Sequence, residues 1–248
     1  MSAGNQPRTA VVVGGASGIG AAVADAYRNR HVPVVVWDVV EGADIVCDVR
    51  EPDSVDDAMR TTIQKAGVPL WTTITAGIGG HGGLLMDEDV ESWNRVMEIN
   101  TRGPWLVMRA MARAMIDADV AGSLIATSSV SAHLVDRGMG VYCASKAALS
   151  MIIRVAASEW APHGIRVNGI GPGVTATPML GPVDAPWLRG VRERTPLGRL
   201  GQPEDIAETV LSLHALPWVT GQIVDCDGGL SLHSPIDSYG EVLKASRG

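Results

Sequence analysis

Short β-branched runs alternate with longer helical patterns along most of the chain. Thr9 to Gly14, Val34 to Asp38, Asp44 to Cys47, Trp71 to Ile74, Gly122 to Ser128, Ile165 to Gly171 and Ile223 to Asp225 read as seven strands. Several of these runs are apolar without interruption, as strands covered on both faces are. Helical patterns fall between them: Ala21 to Arg30, stopped near Pro33; Pro52 to Lys65, with Pro and acids in its first turn; Asp89 to Asn100; and about Thr101 to Ala118. Two more run from about Gly140 to Trp160 and from Gln202 to His214. Trp105, Met108, Ala112 and Met115 recur at helical spacing and read as core or subunit interface; Ala148, Met151, Ile152 and Val155 read as a packing face. Strands alternating with helices predict an α/β domain, a doubly wound sheet of seven parallel strands with helices on both faces.

Residues 174–200 break this rhythm with four prolines and three glycines, and read as an irregular, mobile lid. No linker, repeat or low-complexity block divides the chain, so residues 1–248 are expected to form a single domain with a tail at 234–248. The charge of −7 and pI near 5.3 argue against nucleic acid or an anionic membrane as partner. Thr9 to Ala24, and the stretch between Lys65 and Asp87, are nearly or wholly uncharged, but glycines interrupt both and neither reads as a membrane segment. Cys47, Cys143 and Cys226 are scattered and odd in number, with no CxxC and no His/Cys cluster. That usage suits a reducing cytoplasm and predicts no metal.

Between the first strand and the first helix lies Gly14-Gly15-Ala16-Ser17-Gly18-Ile19-Gly20. Glycines here allow a tight turn and let the backbone approach a pyrophosphate on a helix N-terminus, where free N–H groups and the dipole favour anions. The strand–loop–helix–strand unit spans residues 9–38, the length of a dinucleotide-binding βαβ unit. Asp38 ends the second strand, 18 residues after Gly20. A carboxylate there accepts hydrogen bonds from both ribose hydroxyls of NAD and repels a 2′-phosphate, so NAD is expected over NADP.

Tyr142 and Lys146 stand four apart, hence on one face of a helix. A phenol ordinarily keeps its proton to about pH 10, and a neighbouring ammonium is expected to lower that value. A tyrosine so tuned suits proton transfer in carbonyl reduction or alcohol oxidation.

Together these residues resemble the short-chain dehydrogenase/reductase family, from about Thr9 to Gly229. The family's TGxxxGxG loop is matched by Val13-Gly14-Gly15-Ala16-Ser17-Gly18-Ile19-Gly20, with Val13 in place of threonine, and its YxxxK pair by Tyr142 and Lys146. Its serine, thirteen residues before the tyrosine, is matched by Ser129, and its catalytic asparagine by Asn100. The adenine-binding aspartate is matched by Asp48, with Val49 beside it; the nicotinamide-binding turn is matched by Pro172, Gly173, Val174 and Thr177. The NNAG motif departs, reading Ile74-Thr75-Ala76-Gly77. The resemblance implies a Rossmann-type fold and a homotetramer built on helices 101–118 and 142–160 and the C-terminal strand. It implies Ser129 orienting the substrate oxygen, Tyr142 transferring a proton, Lys146 assisting it and holding the nicotinamide ribose, and Asn100 keeping a water near Lys146. The expected activity is NAD-dependent interconversion of a secondary alcohol and a ketone. A 3-oxoacyl-carrier-protein reductase and a non-catalytic dinucleotide sensor or scaffold remain the alternatives.

Nearness to these motifs nominates His81, Ser131, His133, Leu134, Met139, Met179, Leu180 and Trp187 as substrate-pocket walls, and their mostly apolar character suggests a hydrophobic alcohol or ketone. Arg189, Arg192 and Arg194 fit a solvated helix face better than an anion grip.

Overall fold

The computed structural model describes residues 9–80 and 82–232, so the proposed pocket residue His81 and the tail at 234–248 lie outside the described residues. Seven parallel strands lie in the order β3-β2-β1-β4-β5-β6-β7. They are β1 (Ala10–Val13), β2 (Val34–Asp38), β3 (Ile45–Val46), β4 (Trp71–Ile74), β5 (Gly122–Thr127), β6 (Ile165–Pro172) and β7 (Ile223–Cys226). The helices are α1 (Gly18–Asn29), α2 (Pro52–Ala66), α3 (Val90–Met97), α4 (Gly103–Asp117), α5 (Gly140–Trp160), α6 (Trp187–Arg194) and α7 (Pro203–Ala215).

The continuous valine run of β1 shows why the pattern is not alternating. Val11 and Val13 enter a core with Met59 of α2, Met111 and Met115 of α4 and Leu149 and Ile153 of α5. Ala10 and Val12 face the opposite core, against Val23 and Tyr27 of α1 and Val210 of α7. Strand order reverses between β1 and β4, which opens a crevice beyond their carboxyl ends, where open α/β sheets bind ligands.

Four local expectations are revised. Helix α1 begins at Gly18, inside the glycine loop, rather than at Ala21. The patterns at 89–100 and 101–118 are joined by a π turn, Glu98–Arg102, that contains Asn100. The 174–200 stretch is not wholly irregular: α6 and the segment after it bury Leu188, Val191 and Leu200 in a small core of their own. In α5 the buried face is Val141, Ser145, Leu149, Ile153 and Ala156, whereas Met151 and Val155 point outward. That helix is apolar nearly all round, so periodicity alone did not reveal its inner side.

Candidate active site

A cleft of about 850 Å³ opens at the carboxyl ends of the strands, lined at one end by the glycine loop and Asp38 and reaching Ser129, Tyr142 and Lys146. Gly14 and Gly18 both have positive φ, a conformation that favours glycine. A Cβ on Gly14 would sit 2.5 Å from the Ala76 nitrogen, and one on Gly20 would sit 2.1 Å from the Gly14 carbonyl oxygen. The loop is therefore pressed against the end of β4, with α1 starting directly from it. The Asp38 carboxylate accepts from the backbone N–H groups of Ala16 (2.9 Å) and Val39 (2.7 Å), tying loop to strand at the cleft edge.

The two departures from the family's motifs are related. Thr75 Oγ1 lies 2.9 Å from the Val13 carbonyl oxygen and 3.0 Å from that of Gly14, and donates its single proton there. A hydroxyl just past the end of β4, where the family carries an asparagine, thus holds the start of the glycine loop at Val13 and Gly14.

Further along, Ser129 stands two residues past β5, with its hydroxyl accepting from the Ser131 N–H (3.1 Å) and near enough to the Tyr142 phenol to favour its ionised form. Lys146, one helical turn past Tyr142, is buried, donates to the Thr127 carbonyl oxygen (2.8 Å), and places Nζ 5.7 Å from the centre of the tyrosine ring. The electrostatics correct the expected tuning. Burial pushes the Tyr142 phenol up, the nearby Ser129 hydroxyl only partly offsets this, and the charges of Cys143 and, less, Asp136 push it further up. Burial lowers the Lys146 ammonium to about 8. In this dry site the lysine, not the tyrosine, is the member brought toward neutrality.

Asn100 is fully buried behind the cleft wall. Its side-chain oxygen accepts from the Ile78 N–H (2.8 Å), and its amide donates to the Ile78 carbonyl oxygen (2.8 Å) and Ser145 Oγ (3.2 Å). The side chain thus pins the Gly77–Ile78 segment instead of facing the cleft. Asp48 lines the cleft, but Arg50 grips its carboxylate with Nε and Nη2 at 2.6–3.1 Å and holds it well below the usual carboxylate range. Val49, Ala76, Gly77, Pro172, Gly173, Val174 and Thr177 also line the cleft, as do Ser17 and Ile19.

Of the nominated pocket residues, Ser131, Met139, Met179, Leu180 and Trp187 line the cleft. His133 does not: its Nε2 lies 3.2 Å from Asp225 Oδ2 on β7, and Leu134 is likewise outside the lining. Arg189 pairs with Glu193, Arg192 donates to the Val183 carbonyl oxygen and Arg194 to that of Gly190, as expected of a solvated helix face. Sequence reasoning missed Asp136, Gly79, Gly80 and Arg95, which also line the cleft. Asp136 falls between the two singled-out residues Ser129 and Tyr142, and that position was the available signal.

A family model described as enoyl-(acyl carrier protein) reductase matches residues 14–231. The chain is 35% identical over 239 residues to a cis-4-hydroxycyclohexanecarboxylate dehydrogenase of Sinomonas cyclohexanicum, covering 90% of this chain and 96% of that one. It is 32% identical to the 2,5-dichloro-2,5-cyclohexadiene-1,4-diol dehydrogenase LinX of Sphingobium indicum, covering 91% and 96%. A crystal structure of gox2181 superposes with a TM-score of 0.87 at 31% identity, covering 92% of this chain and 97% of that one. With its fold, its glycine loop and its Ser129, Tyr142 and Lys146 in one cleft, the chain belongs to the short-chain dehydrogenase/reductase family of oxidoreductases.

Proposed function

We propose that the protein is an NAD-dependent dehydrogenase that interconverts a secondary alcohol and a ketone, with Tyr142 as the proton-transfer group. The observation that carries this reading is that Ser129, Tyr142 and Lys146 line one cleft, continuous with the glycine loop and Asp38. Relatives that act on ring alcohols support the reaction class.

The cleft residues fit a dinucleotide. Gly14, Ser17, Gly18, Ile19 and Gly20 offer a close backbone approach at the start of α1, and Pro172, Gly173, Val174 and Thr177 offer a second wall. Asp38 keeps lone pairs for ribose hydroxyls; its hydrogen-bond partners are backbone amides, and among the described residues no cation pairs with it. Arg50, the cation nearest in sequence on that wall, is committed to Asp48. Bound NAD would supply the hydride acceptor, and NADH the donor.

The chain's own groups then handle the oxygen and the proton. Ser129 donates a hydrogen bond to the substrate oxygen and fixes it beside the Tyr142 hydroxyl. In oxidation the substrate O–H proton passes to the Tyr142 phenolate oxygen as the C–H electron pair leaves carbon; in reduction Tyr142 returns that proton to the forming alkoxide. Lys146 places positive charge under the phenol, and Asn100 holds Gly77–Ile78 so that the cleft wall keeps its shape. We further propose one domain over residues 1–248, a homotetramer built on the outward faces of α4 and α5, and a cytoplasmic location, which suits three free thiols.

The test is NADH absorbance on mixing the protein with NAD and a panel of ring alcohols. NADH formed with at least one alcohol, and lost in Tyr142→Phe, is the expected result; no turnover with any alcohol or ketone, despite NAD binding, overturns the proposal and favours a sensor or scaffold.

A further inference from the structure

The cleft does not stop at Tyr142. Its wall continues through Ser131, Asp136, Met139, Met179 and Trp187, and Asp136 is the carboxylate whose charge the Tyr142 phenol feels. Asp136 is exposed in the lining of the cleft, and its carboxylate receives no hydrogen bond from any described residue, which leaves it open to a ligand. An ionised carboxylate only accepts, so a ligand seated there must bring donors. In the same lining Ser131 offers a hydroxyl, and Trp187, more than half exposed, offers a broad apolar face. A carboxylate, a hydroxyl and an indole lining one cleft suit a molecule with C–H faces and hydroxyl edges.

We propose that this end of the cleft selects a neutral alcohol bearing at least two hydroxyls, a cyclic diol or polyol, with Asp136 accepting from a hydroxyl other than the one that reacts. The inference rests on the dehydrogenase reading and names its substrate class, in place of the plain hydrophobic alcohol suggested by the apolar wall residues. Two charged alternatives compete. Arg95 also lines the cleft, from α3, and would favour a carboxylate-bearing alcohol; Asp136 alone would favour an amine. Near the reacting oxygen, Asp136 repels the first and the Lys146 ammonium repels the second, which leaves the uncharged donor.

The experiment compares 1,4-cyclohexanediol, 4-hydroxycyclohexanecarboxylate, 4-aminocyclohexanol and cyclohexanol with the full chain and with Asp136→Asn and Asp136→Ala. Kinetics with NAD are paired with calorimetric binding of each alcohol in the presence of NADH. Expected are a diol preferred over all three, a diol-to-cyclohexanol ratio of kcat/KM reduced at least about tenfold in Asp136→Ala, the scale of one hydrogen bond to a charged group, and weakened diol binding by calorimetry. Asp136→Asn is also expected to shift the acidic limb of the oxidation profile to lower pH, because a negative charge near the phenol has been removed. A wild-type preference for the carboxylate or the amine, or equal losses on diol and cyclohexanol, overturns the proposal. Absence of turnover with Asp136-dependent diol binding instead defeats the dehydrogenase reading and leaves the selection standing.

Discussion

Lys146 and His214 are both buried and both pushed down, the lysine to about 8 and the histidine to about 3, with burial as the leading cause in each. Their surroundings differ. Lys146 makes one hydrogen bond, to the Thr127 carbonyl oxygen, and sits at a cleft wall beside a phenol and a serine. His214 of α7 lies beneath the sheet, with Nδ1 2.9 Å from Ser123 Oγ and Nε2 3.2 Å from Thr73 Oγ1, which in turn meets the Tyr27 hydroxyl. Trp71 stacks on its ring at 5.5 Å, and Arg166 donates to its carbonyl oxygen. Both imidazole nitrogens are engaged and no ligand can approach. A displaced titration is thus a poor marker of chemistry by itself; access and spare hydrogen-bonding capacity separate the two sites.

Substitutions sharpen this contrast. Tyr142→Phe is expected to reduce turnover by about 10³-fold or more while the NAD dissociation constant, read by fluorescence, changes little; activity near wild type would erase the distinction between the sites. Asp38→Ala should weaken NAD by about 10- to 100-fold and relax discrimination against NADP, measured by titration with each cofactor. His214→Gln should act on stability alone, costing about 2–4 kcal/mol in urea unfolding with kcat unchanged at neutral pH.

The pH dependence separates the sites too. The folded chain holds His214 at about 3, against the 6.5 of a free histidine. Between those values the unfolded chain binds a proton that the folded chain refuses, so stability falls as pH drops from about 6.5 toward 3. The limit is on the order of 5 kcal/mol, and His214→Gln should flatten that slope. At the cleft, the raised Tyr142 keeps the phenol protonated at neutrality, so alcohol oxidation should quicken as pH rises above neutral while ketone reduction slows. The smallest effect is expected at Thr75→Val: NAD binding weakened about fivefold, the scale of one neutral hydrogen bond, and recovered in Thr75→Ser.

What the sequence made legible was local. The valine run, the glycine turn, Asp38 and the spacing of Tyr142 and Lys146 each show their place in the fold within one turn or one strand. The buried cluster around His214 did not, because it joins Tyr27, Trp71, Thr73, Ser123 and Arg166 from three strands and two helices, and distant pairing leaves no periodic trace. The inner face of α5 was missed because Leu149 and Met151 are equally apolar, yet only the first is buried. Asp136 was missed because loops carry no period. His133 was misplaced because nearness in sequence to Ser129 does not fix direction, and its partner Asp225 comes from the sheet's far edge.

The π turn at 98–102 carries a consequence for inheritance of the site. Each helical residue advances the chain by about 100°, and a wide turn accommodates one more residue than an ordinary one. Deleting a single position between Glu98 and Arg102 would re-index everything upstream, swinging Asn100 off Ile78 or replacing it there with Ile99 or Thr101. Descendants of this chain can accept point changes around that bend far more readily than any change in its length.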